Sequence, residues 1–255
     1  MDIGFKRIVS MLLHACVIML LSSHSALAEK RLVVMTELAG SSAFLQDGKL
    51  DGQAVEIARE IMRRTGDTAE VVVMPWARGY ETLQTRPNTV LLSTSRTAER
   101  ENQFHWVGPI LKLQWVMVGL KGANIQISCL DDAKKLNAIG TYINDARDQF
   151  LVRKGFTNLD RATNGLLNYK KLLHGRVDAI ISSDLAVLSA SRQLGVHPEL
   201  FKVLFSIKDM DVYIAISDGT SMQKVKAWQD AFQSMQADGA YQAIQQKWYP
   251  FLSEQ

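Results

Sequence analysis

Residues 93–100, STSRTAER, place hydroxyl side chains and two arginines directly after the apolar run Val90-Leu91-Leu92. An uninterrupted apolar run is typical of a buried strand, so these polar residues should lie at a strand end. A guanidinium in such a place can bind a carboxylate through two parallel hydrogen bonds. The pattern allows two interpretations: a site for an anionic ligand, or a solvated turn in which Thr97 caps a helix and Arg100 lies in its first turn.

Polar residues follow apolar runs in the same way elsewhere in the chain. The loops concerned are 37–44, 75–80, 93–100, 141–145 and 182–184. Ligands of open α/β sheets bind outside the carboxyl ends of the strands, where loops of this kind meet. We therefore expect a binding site to be built from these loops.

The sequence offers no residue grouping for metal binding or catalysis. After residue 28 the histidines are His105, His174 and His197, which share no metal-ligand spacing with each other or with Cys129. Nucleophile-elbow, phosphate-loop and dinucleotide-binding glycine motifs are absent from the sequence. We expect no cofactor, no metal and no enzymatic activity.

The first 28 residues predict a cleavable secretory signal peptide. Lys6-Arg7 forms a basic head, residues 8–21 form an apolar stretch, and Ala26-Leu27-Ala28 fits a cleavage site. The apolar stretch is shorter than the about 20 residues that a membrane-spanning helix needs. A lipid anchor on Cys16 is the alternative, and it fits less well because the apolar run continues past that cysteine.

Charge and cysteine content narrow the compartment and the partners. The formal net charge of the whole chain is +3, and loss of the signal peptide would lower it by one. So small a charge argues against nucleic acid as a partner. After cleavage Cys129 is the one cysteine left, so no intrachain disulfide is expected. An exported chain without disulfides predicts a protein of the bacterial periplasm, and we expect a monomer.

The spacing of apolar residues predicts an α/β protein. Strands are predicted over 31–36, 71–74, 89–92, 113–120, 138–141, 177–181 and 212–216, and helices over 54–64, 80–84, 145–154, 166–173, 185–194, 222–238 and 239–248. The β-branched run 71–74 is expected to be buried. The alternation of strands and helices indicates parallel strands joined by crossover helices. A polar segment near residue 121 separates two series of predicted strands and helices. Two similar α/β units therefore precede a last strand and two helices.

Five segments together resemble extracellular solute-binding protein family 3. They are DGKLDGQAVEIAREI (47–61), MPWARGYETLQ (74–84), STSRTAERENQFHWVGP (93–109), GRVDAIISSDLAV (175–187) and AFQSMQADGAYQAIQQKWYP (231–250). The resemblance implies the two-lobed type II periplasmic-binding fold, in which each lobe is a mostly parallel sheet with flanking helices. It places lobe 1 at 29–120 and 211–255 and lobe 2 at 121–210, with the ligand in the cleft between them and a two-strand hinge.

The resemblance implies ligand-binding roles for three residues of the opening segment. Arg100 stands where family members bind the α-carboxylate of the ligand, and Ser93 and Ser95 match hydroxyl and backbone contacts beside it. Arg96 has no counterpart. We expect Arg96 to be solvated or to pair with Glu99 or Glu101.

Three further residues of lobe 1 are candidates by the same resemblance. Trp76 matches an aromatic residue that stacks on the ligand, although it could equally cap the core after Pro75. Glu37 matches a position from which some members bind the ligand's side chain, and the alternative is a surface acid. Arg78 and Tyr80 follow in a loop that faces the same cleft, and Arg78 could add a second positive contact.

The lobe 2 half of the predicted site departs from the family pattern. Asn144-Asp145 replaces a glycine–threonine pair whose amides bind the ligand's carboxylate in many members. Ser183 stands where members have an aspartate for the α-amino group, with Asp184 one step later, and Ala54 replaces a further acid. Asp145 could cap a helix, and Asp145 or Asp184 could bind an ammonium group instead of the missing acid.

The resemblance implies capture of a small polar solute, an amino acid or a related zwitterion, for an ABC permease in the inner membrane. The alternative is a periplasmic sensor that presents its ligand-bound form to a separate receptor or kinase. An enzyme on this fold, such as a dehydratase, is a third possibility, for which the sequence offers no catalytic grouping.

Overall fold

The computed structural model describes residues 31–253, with side chains as far as Trp248; the predicted signal peptide lies outside this range. The strands are β1 (Val33–Thr36), β2 (Phe44–Gln46), β3 (Lys49–Asp51), β4 (Val71–Val73), β5 (Thr89–Ser95), β6 (Phe104–Leu120), β7 (Ile139–Tyr142), β8 (Leu159–Ala162), β9 (Ala179–Ser183) and β10 (Phe201–Ser217). The helices are α1 (Gln53–Thr65), α2 (Trp76–Thr85), α3 (Ala146–Arg153), α4 (Gly165–Leu173), α5 (Asp184–Leu194), α6 (Met222–Ala237) and α7 (Ala240–Ser253). None of the helices within the described range is long and apolar enough to span a membrane.

One continuous sheet forms the centre of the molecule, with strand order β4-β1-β5-β10-β6-β9-β7-β8. The long strands β6 and β10 pair antiparallel along their whole length, from Phe104 opposite Ser217 to Leu120 opposite Phe201. We call lobe 1 the part built from β1, β4 and β5 with α1, α2, α6 and α7, and lobe 2 the part built from β7, β8 and β9 with α3, α4 and α5. The two long strands run through both lobes and join them.

Strand pairing in each lobe confirms the predicted α/β architecture. In lobe 1, β1 pairs parallel with both β4 and β5. In lobe 2, β7 pairs parallel with both β8 and β9. Each parallel connection runs through a helix, as crossover connections require.

The apolar runs of the sequence are continuous because both faces of the sheet are covered. Side chains alternate between the two faces of a strand, so neighbours belong to different core clusters. In lobe 1, Val34 packs with α1, α6 and α7, whereas Met35 packs with α2 on the other face. In lobe 2, the neighbours Val118 and Met117 likewise belong to two different core clusters, one on each face of the sheet.

The start of α1 fixes a loop of lobe 1 that meets α5 of lobe 2 at Ser189. Gly52, just before the helix, has φ 131°, and a Cβ there would lie 2.5 Å from the Ser42 carbonyl oxygen. A side chain at this position is therefore excluded on both counts. The amides of Gln53 and Ala54 donate to the carbonyls of Ser41 and Ser42 at 3.0 and 3.1 Å, which holds the loop against the helix.

Several predictions about individual elements are wrong in extent or burial. The run 71–74 was expected to be buried, but Val72 and Val73 are 44% and 40% exposed because β4 is the edge strand of the sheet. The helix predicted over 80–84 begins at Trp76, directly after Pro75. Strand β8 is missing from the prediction because its sequence, LDRA, lacks an apolar run.

Candidate functional site

Arg100 lies at the junction of the two lobes, in the turn that follows β5. Its amide donates to the Thr97 carbonyl at 3.0 Å, and the residue opens a short 3-10 turn over Glu101–Gln103. The residue is only 1% exposed. The interpretation of Arg100 as a solvated residue in the first turn of a helix capped by Thr97 is therefore wrong.

The guanidinium of Arg100 is enclosed by aromatic rings and weak acceptors. Its Cζ lies 4.5 Å from the centre of the Tyr80 ring and 5.5 Å from that of Trp76. Nη1 donates to the Ser95 carbonyl at 3.4 Å, while Nη2 donates to the Asn144 carbonyl at 3.5 Å and to Gln149 Oε1 at 3.4 Å. These distances are at the long limit of hydrogen bonding.

The guanidinium of Arg100 has no carboxylate in direct contact, although the charge of Asp145 acts on it from a longer distance. Its Nε has no hydrogen-bond partner. Burial lowers the pKa of Arg100, but an arginine in a protein stays protonated. Within residues 31–248 its guanidinium forms no ion pair. A buried cation with weak contacts and an unused donor is a favourable site for a carboxylate.

A groove of about 480 Å³ lies beside Arg100, between α2, the turn after β5 and the start of α3. Tyr80, Arg100, Asn144 and Gln149 line it from both lobes, and the exposed Arg78 stands at its rim. A small polar solute in this groove would contact lobe 1 and lobe 2 together.

A hydrogen-bonded chain connects the lobes on the inner side of Trp76. The Tyr142 hydroxyl donates to Glu37 Oε1 at 2.6 Å and accepts from the Trp76 amide at 3.0 Å. The Trp76 indole N–H donates to the Asn144 carbonyl at 3.2 Å. Burial raises the pKa of Glu37 to about 7, against the opposing effect of the Tyr142 hydrogen bond. Burial and the adjacent Glu37 also raise the pKa of Tyr142.

The carboxylate of Asp145 already has hydrogen-bond partners at the start of its own helix, α3. It caps α3 by accepting from the Arg147 amide at 2.9 Å, which fulfils the capping role that the sequence suggests. Its carboxylate also binds the Arg147 guanidinium, with Nε at 2.6 Å and Nη2 at 3.0 Å. Burial alone would raise the pKa of Asp145, but Arg147 and then Arg100 hold it below its usual value.

Asp184 is also occupied by protein groups. Its Oδ1 accepts from the amides of Gln114 and Leu185 at 3.0 and 2.8 Å, so it ties the start of α5 to β6. Ser183, the last residue of β9, is buried opposite Trp115 of β6. Neither residue lines the groove beside Arg100.

The serines of the opening segment lie within β5 rather than after it. Ser93 has φ 56°, a left-handed conformation that a serine seldom adopts, and its hydroxyl bonds to that of Ser42. Such backbone strain is concentrated at functional sites. Ser95 contacts Arg100 through its carbonyl group. Arg96 pairs with Glu101 on the surface, and this confirms one of the two expectations for it.

The structure therefore brings some predicted site residues together and separates others. Those at or around the groove and the Tyr142 chain are Glu37, Trp76, Arg78, Ser95, Arg100, Asn144 and Asp145. Tyr142 and Gln149 join them without having been singled out, and Tyr80 lines the groove together with Arg78. Tyr80 lies four residues after Trp76 on one helix, so the two rings share a helix face.

Two further contacts connect the lobes. Arg153 of α3 pairs with Glu99 of lobe 1 at 2.9 Å. On the other side, the loop before β2 meets α5, where a Cβ at Gly40 would lie 3.4 Å from the Ser189 Cβ. We call the contacts of Tyr142, Asn144, Arg153 and Ser189 with lobe 1 the closure contacts.

Metal-binding groups are absent from the described part of the chain. Residues 31–253 contain no cluster of three or more histidine, cysteine, aspartate and glutamate side chains that could hold an ion. Cys129 is an exposed free thiol.

A comparison with protein families matches residues 32–251 to the bacterial extracellular solute-binding proteins, family 3. The chain belongs to this family. It is therefore a solute-binding protein, as the resemblance of its segments implied, and the family is one of binding proteins rather than of enzymes.

Similar proteins agree with this assignment. The L-cystine-binding protein TcyJ of Escherichia coli K12 is 27% identical over 206 residues, which cover 80% of this chain and 76% of TcyJ. An ancestral arginine-binding protein bound to arginine has a TM-score of 0.75 at 23% identity, covering 86% of this chain and 98% of its own. A histidine kinase sensor domain with similarity to periplasmic binding proteins has a TM-score of 0.78 at 17% identity, covering 86% and 96%. These solved structures share the two-lobed fold.

Proposed function

We propose that this solute-binding protein captures an amino acid or a related zwitterion reversibly in the groove between its lobes. The observation that carries the proposal is Arg100, a buried guanidinium with an unpartnered Nε and only long contacts to neutral acceptors. A carboxylate there would replace these contacts with charge-assisted hydrogen bonds, each of which contributes about 1.5–3 kcal/mol.

We assign the ammonium group of the solute to Glu37 rather than to Asp145 or Asp184. Asp145 already binds a guanidinium, and Asp184 already binds two backbone amides. Glu37 has a hydroxyl as its hydrogen-bond partner, and burial makes its charge unfavourable. An ammonium group beside Glu37 would stabilise the carboxylate, so this residue gains most from a cationic ligand.

Trp76 separates the two charged ends of this site. Its amide is part of the Glu37 chain, and its ring faces the Arg100 guanidinium. Glu37 and Trp76 do not line the groove itself, so a solute that reached both Arg100 and Glu37 would extend from the groove along Trp76, with its carboxylate and ammonium groups apart. Arg78 and Asn144 would face such a solute from the rim of the groove.

The transport role belongs to the same proposal. The signal peptide predicted over residues 1–28 would export the chain to the periplasm, and a monomer with a captured solute would deliver it to an ABC permease in the inner membrane. We propose no enzymatic activity, since catalysis would need an acid–base or nucleophilic group beyond those used for binding. The lobe boundaries at 29–120, 121–210 and 211–255 remain predictions.

A sensor role is the second candidate, and one observation favours it. The histidine kinase sensor domain matches this fold with a TM-score of 0.78. In that role the closed form would be presented to a separate receptor or kinase. A permease gene next to the gene of this chain would favour transport, and a sensor gene would favour signalling.

Isothermal titration calorimetry tests the binding proposal directly. The solutes are L-cystine, L-arginine, L-glutamine, the diamines putrescine and cadaverine, and succinate. We expect saturable binding of at least one zwitterion and weaker binding of the diamines and of succinate. Binding of the diamines or succinate alone, or of none of the solutes, would contradict the proposal.

A further inference from the structure

The outer edge of lobe 2 carries a groove with five basic side chains and no acidic one. It has a volume of about 460 Å³ and lies between β8 and α4. Its basic residues are Arg161, Lys170, Lys171, His174 and Arg176. Because β8 is the last strand of the sheet, this basic groove lies at a free sheet edge, and it shares no lining residue with the groove beside Arg100.

Two of the five basic residues have structural partners. Arg161 pairs with Asp148 at 3.0 Å, and Lys171 pairs with Asp160 at 2.7 Å. The Lys171 ammonium also donates to the Arg161 carbonyl of β8 at 3.2 Å. A side chain therefore occupies the outward-facing carbonyl of this edge strand, which disfavours the addition of a further strand.

The other three basic residues remain uncompensated. Lys170, His174 and Arg176 are exposed, and none of them forms an ion pair with a carboxylate of the described residues. Two cationic side chains and an imidazole therefore face solvent in one groove. His174 directly follows the last residue of α4, and its amide donates to the Lys170 carbonyl at 3.1 Å, so the two residues stand one turn apart at the end of the helix.

The helix itself does not require this concentration of charge. Basic residues in a last helical turn commonly offset the helix dipole. Here the last carbonyl groups of α4 already accept hydrogen bonds from backbone amides: His174 N donates to Lys170 O at 3.1 Å, and Arg176 N donates to Lys171 O at 2.9 Å. Arg176 lies beyond the helix, so the dipole explains neither its position nor its charge.

We propose that the basic groove docks an acidic segment of a partner protein. A groove of about 460 Å³ is large enough for more than one carboxylate side chain, and three of its five basic side chains have no carboxylate partner among the described residues. Successive acidic residues of a peptide would pair with Lys170 and Arg176, while the apolar Leu167 contacts the peptide's aliphatic stems. The groove is separate from the solute site, so docking and solute binding can be measured independently.

A synthetic hexaglutamate peptide is the probe for this surface, titrated into the ¹⁵N-labelled full-length mature chain at low salt. We expect chemical shift changes at Arg161, Thr163 and residues 170–176, with binding that weakens as salt rises. The double variant Lys170→Glu/Arg176→Glu should weaken binding at least about tenfold. The matched control is Lys49→Glu/Lys202→Glu, which changes the net charge equally at exposed positions outside the groove.

Equal losses in the two double variants would overturn the proposal, because they would reflect net charge alone. So would an absence of saturable peptide binding. Vesicles that contain phosphatidylglycerol form a second arm. Groove-dependent binding to these vesicles without peptide binding would identify a lipid surface instead, and would also overturn the proposal. Calorimetry with the tightest-binding solute should give the same affinity in all variants.

Discussion

Replacement of Arg100 by methionine removes the charge while keeping an unbranched stem against Tyr80 and Trp76. Two charge-assisted hydrogen bonds to a carboxylate contribute about 3–6 kcal/mol together. Since about 1.4 kcal/mol changes an equilibrium constant tenfold, the affinity for a zwitterion should fall roughly 100- to 10,000-fold. In the ligand-free protein Arg100 makes only long contacts of 3.4–3.5 Å, so its replacement should change the ligand-free protein little. The loss of affinity should therefore come mainly from the missing bonds to the carboxylate.

The assay compares two ligands in the same calorimeter cell: an α-amino acid that binds, and the amine that results from its decarboxylation. If Arg100 binds the carboxylate, Arg100→Met should weaken binding of the amino acid but leave binding of the amine within about threefold. A thermal melt of each protein separates loss of binding from loss of folding.

Arg96→Met is the matched control for this experiment. Arg96 pairs with Glu101, its side chain is 35% exposed, and its guanidinium lies 5.0 Å from the Tyr213 ring centre. Its replacement should change affinity less than about twofold, since surface ion pairs contribute little. If Arg100→Met also stays within twofold, or weakens both ligands equally, the carboxylate role of Arg100 is wrong.

Three further predictions concern the pH dependence, the closure and the core. Burial raises the pKa of Glu37 to about 7, so its carboxyl group is mostly protonated below pH 7, and a solute with an ammonium group must displace that proton. Calorimetry should therefore show the affinity for such a solute rising about tenfold from pH 5.5 to pH 7.5. The rise should vanish in Glu37→Gln. Ser189→Trp should collide with the loop at Gly40, enlarge the radius of gyration in small-angle scattering and weaken solute binding at least about tenfold, whereas Ser189→Ala should do neither. Trp228 is fully buried, and its indole N–H donates to Asp67 at 2.8 Å. Trp228→Phe removes this donor from the Asp67 carboxylate and should lower the free energy of unfolding, measured in urea, by about 1–3 kcal/mol. An unchanged free energy of unfolding would contradict this role.

The fold could be predicted from sequence where apolar spacing was strong. Helix α1 carries apolar residues at helical intervals and was predicted within one residue at each end. Strand β8 failed because a four-residue edge strand with two charged side chains has no apolar period to detect. The long strands β6 and β10 were predicted only in part, since their middles are polar where they cross between the lobes.

The site was harder to predict because it depends on contacts between distant segments. Arg100 was singled out through its resemblance to a family position, whereas its own sequence context also allowed a solvated turn. Tyr142 lies in the loop 141–145, which was expected to contribute to the site, but nothing in the sequence singled it out. Its role comes from Glu37, 105 residues away in sequence, which a linear pattern does not connect.

A crystal structure with the tightest-binding solute would show which groups hold its carboxylate and its ammonium. We expect the carboxylate of the solute to lie about 2.7–2.9 Å from two nitrogens of Arg100, with its ammonium group near Glu37. A structure in which the carboxylate binds elsewhere, and the Arg100 guanidinium keeps its contacts to Asn144 and Gln149, would contradict it.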